Sequence, residues 1–168
     1  MTVAAFRTGD LVNAVRSCLG PGASIGTDAT AYSVTWAHKL RGPVLALPDK
    51  LADYPLAVIH APPCDTERLC VKQERVSQHI IVDLVFRGLE MAAGNPFSAQ
   101  LVEVAGAVGE MAQQNVMACG QRLGTAWVES VDTGSGGVVD SFATRYADDT
   151  GLVMYSFEFT AHYWKAVP

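Results

Sequence analysis

The sequence predicts an α+β fold: a mainly antiparallel β-sheet packed against two principal helices. Three observations predict it. Residues 152–164 alternate strictly, with Val153, Tyr155, Phe157, Phe159, Ala161 and Tyr163 on one face and Ser156, Glu158, Thr160 and His162 on the other. Residues 78–87 alternate in the same way around Ile80, Val82, Leu84 and Phe86. Residues 8–19 and 95–114 instead repeat apolar side chains at helical spacing. The resulting order (helix, strands, helix, strands) is that of an α+β domain. A chain of 168 residues is large enough for a core of its own, and one domain over 1–168 is expected.

The first helix is expected at 8–19. Leu11, Val12, Val15 and Leu19 form its stripe, Thr8 or Asp10 caps its start, and Gly20-Pro21-Gly22 ends it. Residues 31–36 hold a strand with Tyr32, Val34 and Trp36 on one face, and 44–47 a further extended piece. Pro48 and Pro55 bracket a loop carrying Asp49, Lys50 and Asp53. Residues 56–60 read as an apolar strand whose pairing Pro55 limits, because proline has no backbone donor. The second face of 78–87 (His79, Ile81, Asp83, Val85, Arg87) is only half polar, which fits a central strand covered on both sides.

The second helix has Asn95 as its cap, Pro96 in its first turn, and a stripe of Phe97, Leu101, Val104, Ala105, Val108, Met111 and Ala112. Gly106 and Gly109 each weaken it by about 1 kcal/mol relative to Ala, a cost that close approach to a sheet would explain. Residues 125–131 read as a strand, 132–137 as a flexible loop, 138–146 as a returning strand and 148–151 as the last turn. The closing strand would run roughly 40 Å at about 3.3 Å per residue, longer than a small chain needs for its own sheet. Its excess is expected to bend, end early or pair with another subunit.

Composition narrows the function. The net charge is −5 and no Lys/Arg run occurs, which argues against tight phosphate or base-specific binding. Charged residues make up 17% of the chain, leaving a rather apolar surface that suits burial in an oligomer. The first residues show no basic stretch followed by an apolar core, and no apolar run is long enough to span a bilayer. Synthesis in a reducing cytoplasm is expected, with Cys18, Cys64, Cys70 and Cys119 as free thiols.

Motifs for catalysis, cofactors or metals are weak, and no catalytic, cofactor or metal site is expected. Gly22-Ala23-Ser24-Ile25-Gly26 matches G-x-S-x-G, but a helix precedes it where a hydrolase needs a strand-to-helix turn. Gly134-Ser135-Gly136-Gly137 lacks the Lys-Ser/Thr of a phosphate loop. Cys64 and Cys70, with His60 nearby, lack the spacing of a zinc site. Glu158 and His162 read as a solvated or interfacial pair, and Asp148-Asp149 as a solvated turn. Trp36 and Trp127 are assigned to the core, whereas Tyr163-Trp164 beside the chain end reads as a docking pair.

Together these features resemble the tail terminator proteins of long-tailed bacteriophages, also called tail completion or neck proteins. The resemblance is carried by helix 8–19, the segment Tyr54-Pro55-Leu56-Ala57-Val58-Ile59-His60, strand 80–87, helix 95–114 and the closing strand 152–165. Head-closure, tail-tube and sheath-initiator proteins share a similar small α+β organisation. The resemblance implies subunits that commonly form a six-membered ring, which caps the tail tube, stops its polymerisation and faces the head connector. The implied partners are further copies of the chain, the tail tube protein and the connector or head-closure protein. DNA would pass through the lumen without specific binding, no membrane would be involved, and the protein would reside in the virion after assembly in the host cytoplasm.

Six copies would carry a formal charge of −30, six times −5, which would repel passing DNA. Tyr155, Glu158, His162, Tyr163 and Trp164 are the expected oligomer-interface residues, with the closing strand adding to a neighbour's sheet edge. Asp53, Asp132, Gly134, Ser135 and Gly136 mark loops expected to order on docking. The alternative is a small ligand-binding or enzymatic domain with a pocket gathering His60, Asp83 or Glu158 on one sheet face.

Overall fold

The computed structural model describes residues 7–19, 22–25, 32–42, 44, 47–50, 53–87, 96–119, 128–132, 136–139 and 152–166. Helix α1 spans Thr8–Cys18 and helix α2 Pro96–Cys119. Strands β1 (Gly22–Ile25) and β2 (Tyr32–Thr35) form a separate antiparallel ribbon. The main sheet contains β3 (His38–Arg41), β4 (Leu56–His60), β5 (Asp65–Cys70), β6 (Gln73–Arg87), β7 (Val128–Asp132), β8 (Gly136–Val139) and β9 (Leu152–Ala166). Its order is β3-β4-β6-β9-β7, with β5 also on β6 and β8 also on β9. Every pairing is antiparallel except β3 with β4. The fold is thus α+β, as the alternation and the two helical stripes predict.

Strands β6 and β9 are each 15 residues long and pair from Gln73↔Ala166 to Arg87↔Leu152. At about 3.4 Å per residue they make a ribbon of roughly 50 Å. Strands β4 and β5 follow one another along the outer side of β6, and the register advances by one residue between His60↔Ile81 and Asp65↔Ser77. One extra residue in 61–64 is the signature of a β-bulge. Strands β7 and β8 line β9 with the same one-residue advance, between Asp132↔Thr160 and Gly136↔Phe157.

This topology corrects the expectation for the closing strand. Its length is not spare: β6 is equally long and pairs with all of it, while β7 and β8 occupy its other side over most of its length. Residue 132, expected in a loop, ends β7, and residues 136 and 137, also expected in that loop, begin β8. Ser130, Val131 and Asp132 of β7 and Gly136 to Val139 of β8 pair with β9, and that pairing outweighs the turn propensity of the Gly-rich tract. Residues 133–135, 140–151 and the cap at Asn95 lie outside the described residues, as does Trp127.

The core lies between one sheet face and the helices. Ile80, Val82, Leu84 and Phe86 of β6 meet Tyr155, Phe157, Phe159, Ala161 and Tyr163 of β9, with Leu11, Val12 and Val15 of α1 and Ala105, Val108, Ala112 and Val116 of α2 above them. Each Val, Leu, Ile or Phe side chain among them contributes about 1.5–3 kcal/mol when fully buried. Trp36 completes this core and donates its ring N–H to the Leu19 carbonyl at 3.3 Å. Gly109 admits α2 to the sheet: a methyl group built there would fall inside the Tyr155 ring. The expectation that small residues bring this helix close to a sheet holds at that position. Helix α1 is capped differently from expectation. Arg7 is the N-cap, Asp10 at the third position accepts the Arg7 N–H at 2.9 Å, and Thr8 lies inside the helix.

Candidate functional site

The second face of the sheet is divided. Near Arg87 and Leu152 it carries a smaller apolar cluster, Leu56, Val58, Val85, Leu152 and Met154, packed against Leu40, Val44, Leu47 and Tyr54. The segment over it is tied down. Arg87 donates to the Pro48 and Asp49 carbonyls at 3.3 and 2.7 Å, and its guanidinium lies 5.8 Å from the Tyr54 ring centre. Tyr54 donates its hydroxyl to the Pro48 carbonyl at 2.7 Å, and Asp53 pairs with His38 at 3.0 Å. Asp53, expected on a loop that orders on docking, is therefore held by its own chain.

Beyond this cluster stands a polar link across three strands. Asp83 of β6 is completely buried. Its Oδ2 meets His60 Nε2 of β4 at 2.9 Å, and its Oδ1 accepts the Ser156 hydroxyl of β9 at 2.7 Å. Period-two alternation and the pairing Asp83↔Ser156 place all three on one face. Gly42 closes the cluster, since a Cβ there would lie 2.5 Å from the His60 ring. The alternative reading calls for a pocket gathering His60, Asp83 or Glu158 on one face, and residues 60 and 83 do meet there; Ser156 as their third member is legible only from the β6–β9 register. The serine gives its proton to the carboxyl group, so the imidazole is not placed to activate it as a hydrolase base would be.

Past Asp83 the face opens to solvent. His79 pairs with Glu158 at 3.2 Å with both side chains about half exposed. The Ser77 hydroxyl and His162 Nδ1 are 2.9 Å apart, and Trp164 stands half-buried opposite Arg75. Of the five expected interface residues, Glu158, His162 and Trp164 thus lie on this open face. Tyr155 and Tyr163 do not. Both face the core, where Tyr155 donates to Gln113 Oε1 at 2.7 Å and the Tyr163 hydroxyl is 3.3 Å from Thr8 Oγ1. Odd positions of β9 point at the helices, so the interface role is withdrawn for these two. Burial raises both phenol pKa values, with the nearby Glu110 adding to the rise for Tyr155 and the Thr8 bond opposing it for Tyr163.

The end of the sheet carries the remaining feature. The hairpin β5–β6 turns through Val71 and Lys72, and every residue of β5 is exposed. Leu69 is 46% and Val71 77% exposed, the large apolar side chains most open to solvent among the described residues.

The other sequence-marked positions do not converge. Asp132 ends β7 and Gly136 begins β8, while Gly134 and Ser135 lie outside the described residues. Ser24 lies on β1 opposite Ser33 of β2, a ribbon rather than the turn that a nucleophilic serine requires. Among the described residues no three His, Cys, Asp or Glu side chains gather as a metal-binding group, and no helix is long and apolar enough to cross a membrane. No protein-family model and no curated protein matches the chain in sequence.

Proposed function

We propose that this chain is a structural virion protein of a tailed phage: a tail terminator whose subunits close into a ring, cap the tail tube, stop its polymerisation and join it to the head connector. The observation that carries the reading is the sheet. Half of the second face of its two 15-residue central strands lies open, with Glu158, His162 and Trp164 on it. A half-open sheet bordered by exposed Leu69 and Val71 is surface suited to burial against further subunits. The resemblance of helix order and closing strand to tail terminators supplies the biological assignment, a six-membered ring in the neck of the virion. The acidic chain suits a lumen through which DNA slides without specific binding.

The alternative, a small ligand-binding or enzymatic domain, draws on the His60–Asp83–Ser156 cluster. A wholly buried carboxyl that accepts from two strands fits a structural tie better than a reaction centre, so the assembly reading is preferred. Negative-stain electron microscopy over a concentration series, with mass measured in parallel, tests it. Rings with a central hole are expected. A strict monomer at the highest concentrations, together with saturable binding of a small ligand near His60, would replace this reading with the alternative.

A further inference from the structure

The flank of α1 beside β3 gathers cations. Strand β3 pairs Lys39 with Ala57 and Arg41 with Ile59, both core residues beneath the helices, so Lys39 and Arg41 stand on the helix face of the sheet. Gly9 leaves room there for Arg41: a Cβ built on it would lie 3.7 Å from Arg41 Nη1. Two turns along the same flank, the Lys39 ammonium donates to the Arg16 carbonyl at 3.0 Å. Asn13, exposed, lies between Gly9 and Arg16 at i, i+4 and i, i+3 spacing.

Arg16 and Arg41 are exposed, and among the described residues neither pairs with a carboxylate. Lys39 is half-buried. Burial lowers its pKa below the ordinary 10.5, and the Arg16 charge lowers it further. The one carboxylate of α1, Asp10, accepts the Arg7 N–H at 2.9 Å. Three of the 12 Lys and Arg thus share one flank of a chain whose net charge is −5. Like charges this close repel, and an anionic partner relieves the repulsion.

We propose that the row Arg16, Lys39 and Arg41 is a docking site for a carboxylate-bearing segment of a partner protein. Arginine forks match carboxylates through two parallel hydrogen bonds, and the Asn13 amide adds a donor between them. From Gly9 to Arg16 the helix rises about 10 Å, a distance that about four residues of extended chain span. A nucleic acid fits less well, because its phosphates continue past the row over a protein of net negative charge and are repelled there. The row stands on the helix side of the sheet, opposite the open face to which the ring reading points, so its partner need not be a further copy of the chain.

Fluorescence anisotropy of a dye-labelled oligoglutamate peptide, titrated with the full chain, tests it. Saturable binding is expected at about 0.01 M salt, weakening toward about 0.15 M as the Debye length falls from about 30 to 8 Å. Arg16→Glu with Arg41→Glu should weaken binding at least about tenfold, equivalent to about 1.4 kcal/mol. Arg16→Gln with Arg41→Gln introduces no new charge and should weaken binding in the same direction, which keeps the test sound if the reversed charges disturb the fold. Arg68→Glu with Lys72→Glu makes the same change in net charge on the exposed β5–β6 hairpin and should leave binding within about twofold of wild type. A single-stranded oligonucleotide should bind more weakly than the peptide. Absence of saturable peptide binding, or an equal loss in the hairpin variant, would overturn the assignment. Tighter binding of the oligonucleotide would also overturn it and give the row to a nucleic acid.

Discussion

Replacing Gly109 by alanine sets two physical effects against each other, and the structure decides which wins. Alanine in a helix interior is worth about 1 kcal/mol over glycine, so the sequence alone predicts a more stable protein. In the fold, the added methyl would occupy the place of the Tyr155 ring. That ring is held on its other flank by Phe157, whose centroid is 6.4 Å away, and at its tip by the 2.7 Å bond to Gln113. Moving it breaks that bond, at about 1 kcal/mol, and overpacks the core, at about 1–3 kcal/mol. Net destabilisation near 2 kcal/mol follows, a fall in melting temperature of roughly 4–8 °C for a chain of this size. Differential scanning calorimetry of wild type and Gly109→Ala reads it directly. Placing Gly109→Ala in a Tyr155→Ala background removes the obstacle, and there the alanine should stabilise by up to about 1 kcal/mol. A melting temperature at or above wild type for the single variant would refute the packing argument.

Asp83→Ala strands His60 and Ser156 in a buried site and should cost about 3–5 kcal/mol, read as a fall in the urea midpoint; a loss under about 1 kcal/mol would show that the link is not a structural tie. Alkaline stability should fall, because Tyr155 and Tyr163 have folded pKa values raised above their ordinary 10.0. From pH 10 upward the unfolded chain releases phenol protons that the folded chain keeps, so their contribution is full below pH 10 and is lost as pH rises through the folded values. Thermal melts between pH 9 and 11.5 should show a shallower decline for Tyr155→Phe with Tyr163→Phe; parallel curves would exclude these phenols as the cause. Arg87→Ala removes both carbonyl contacts and the stacking on Tyr54, and should speed amide exchange at Asp49 and Lys50 without altering exchange in β9.

Much of the fold is legible in the sequence because burial imposes its period. Leu11, Val12 and Val15 mark α1, and the odd positions from Val153 to Tyr163 mark the buried face of β9. The half-polar second face of β6 predicts a strand covered on both sides, which holds at Asp83 and Val85, both buried, but not at His79, where the face is open to solvent. Long-range pairing is what period alone cannot give. Ser156 joins Asp83 only because Asp83↔Ser156 is the register, a pairing of residues 73 positions apart in the chain. The start of β6 was missed because Gln73, Glu74 and Arg75 carry no apolar signal. Those residues are strand because β9 and β5 flank them, an influence of pairing over local preference.

The same distinction locates where assembly can and cannot act. An aromatic strand near a chain end invites the reading that its rings dock on a neighbour, and on β9 alternate residues answer that question in opposite ways. Tyr155 and Tyr163 spend their hydroxyls on Gln113 and Thr8 and their rings on the helices, so truncating them should lower stability before it touches association. Trp164 lies one position away on the other face, beyond the reach of either helix stripe, and its neighbours Glu158 and His162 already pair with His79 and Ser77. Trp164→Ala should therefore leave the melting temperature within about 2 °C of wild type, as expected for a surface change of about 0.5 kcal/mol. If the open face is covered in the ring, the same variant raises the concentration at which rings form. A melting temperature that falls as far as that of Tyr163→Ala would place Trp164 with the core, and the open face would then have lost its largest apolar anchor for a partner.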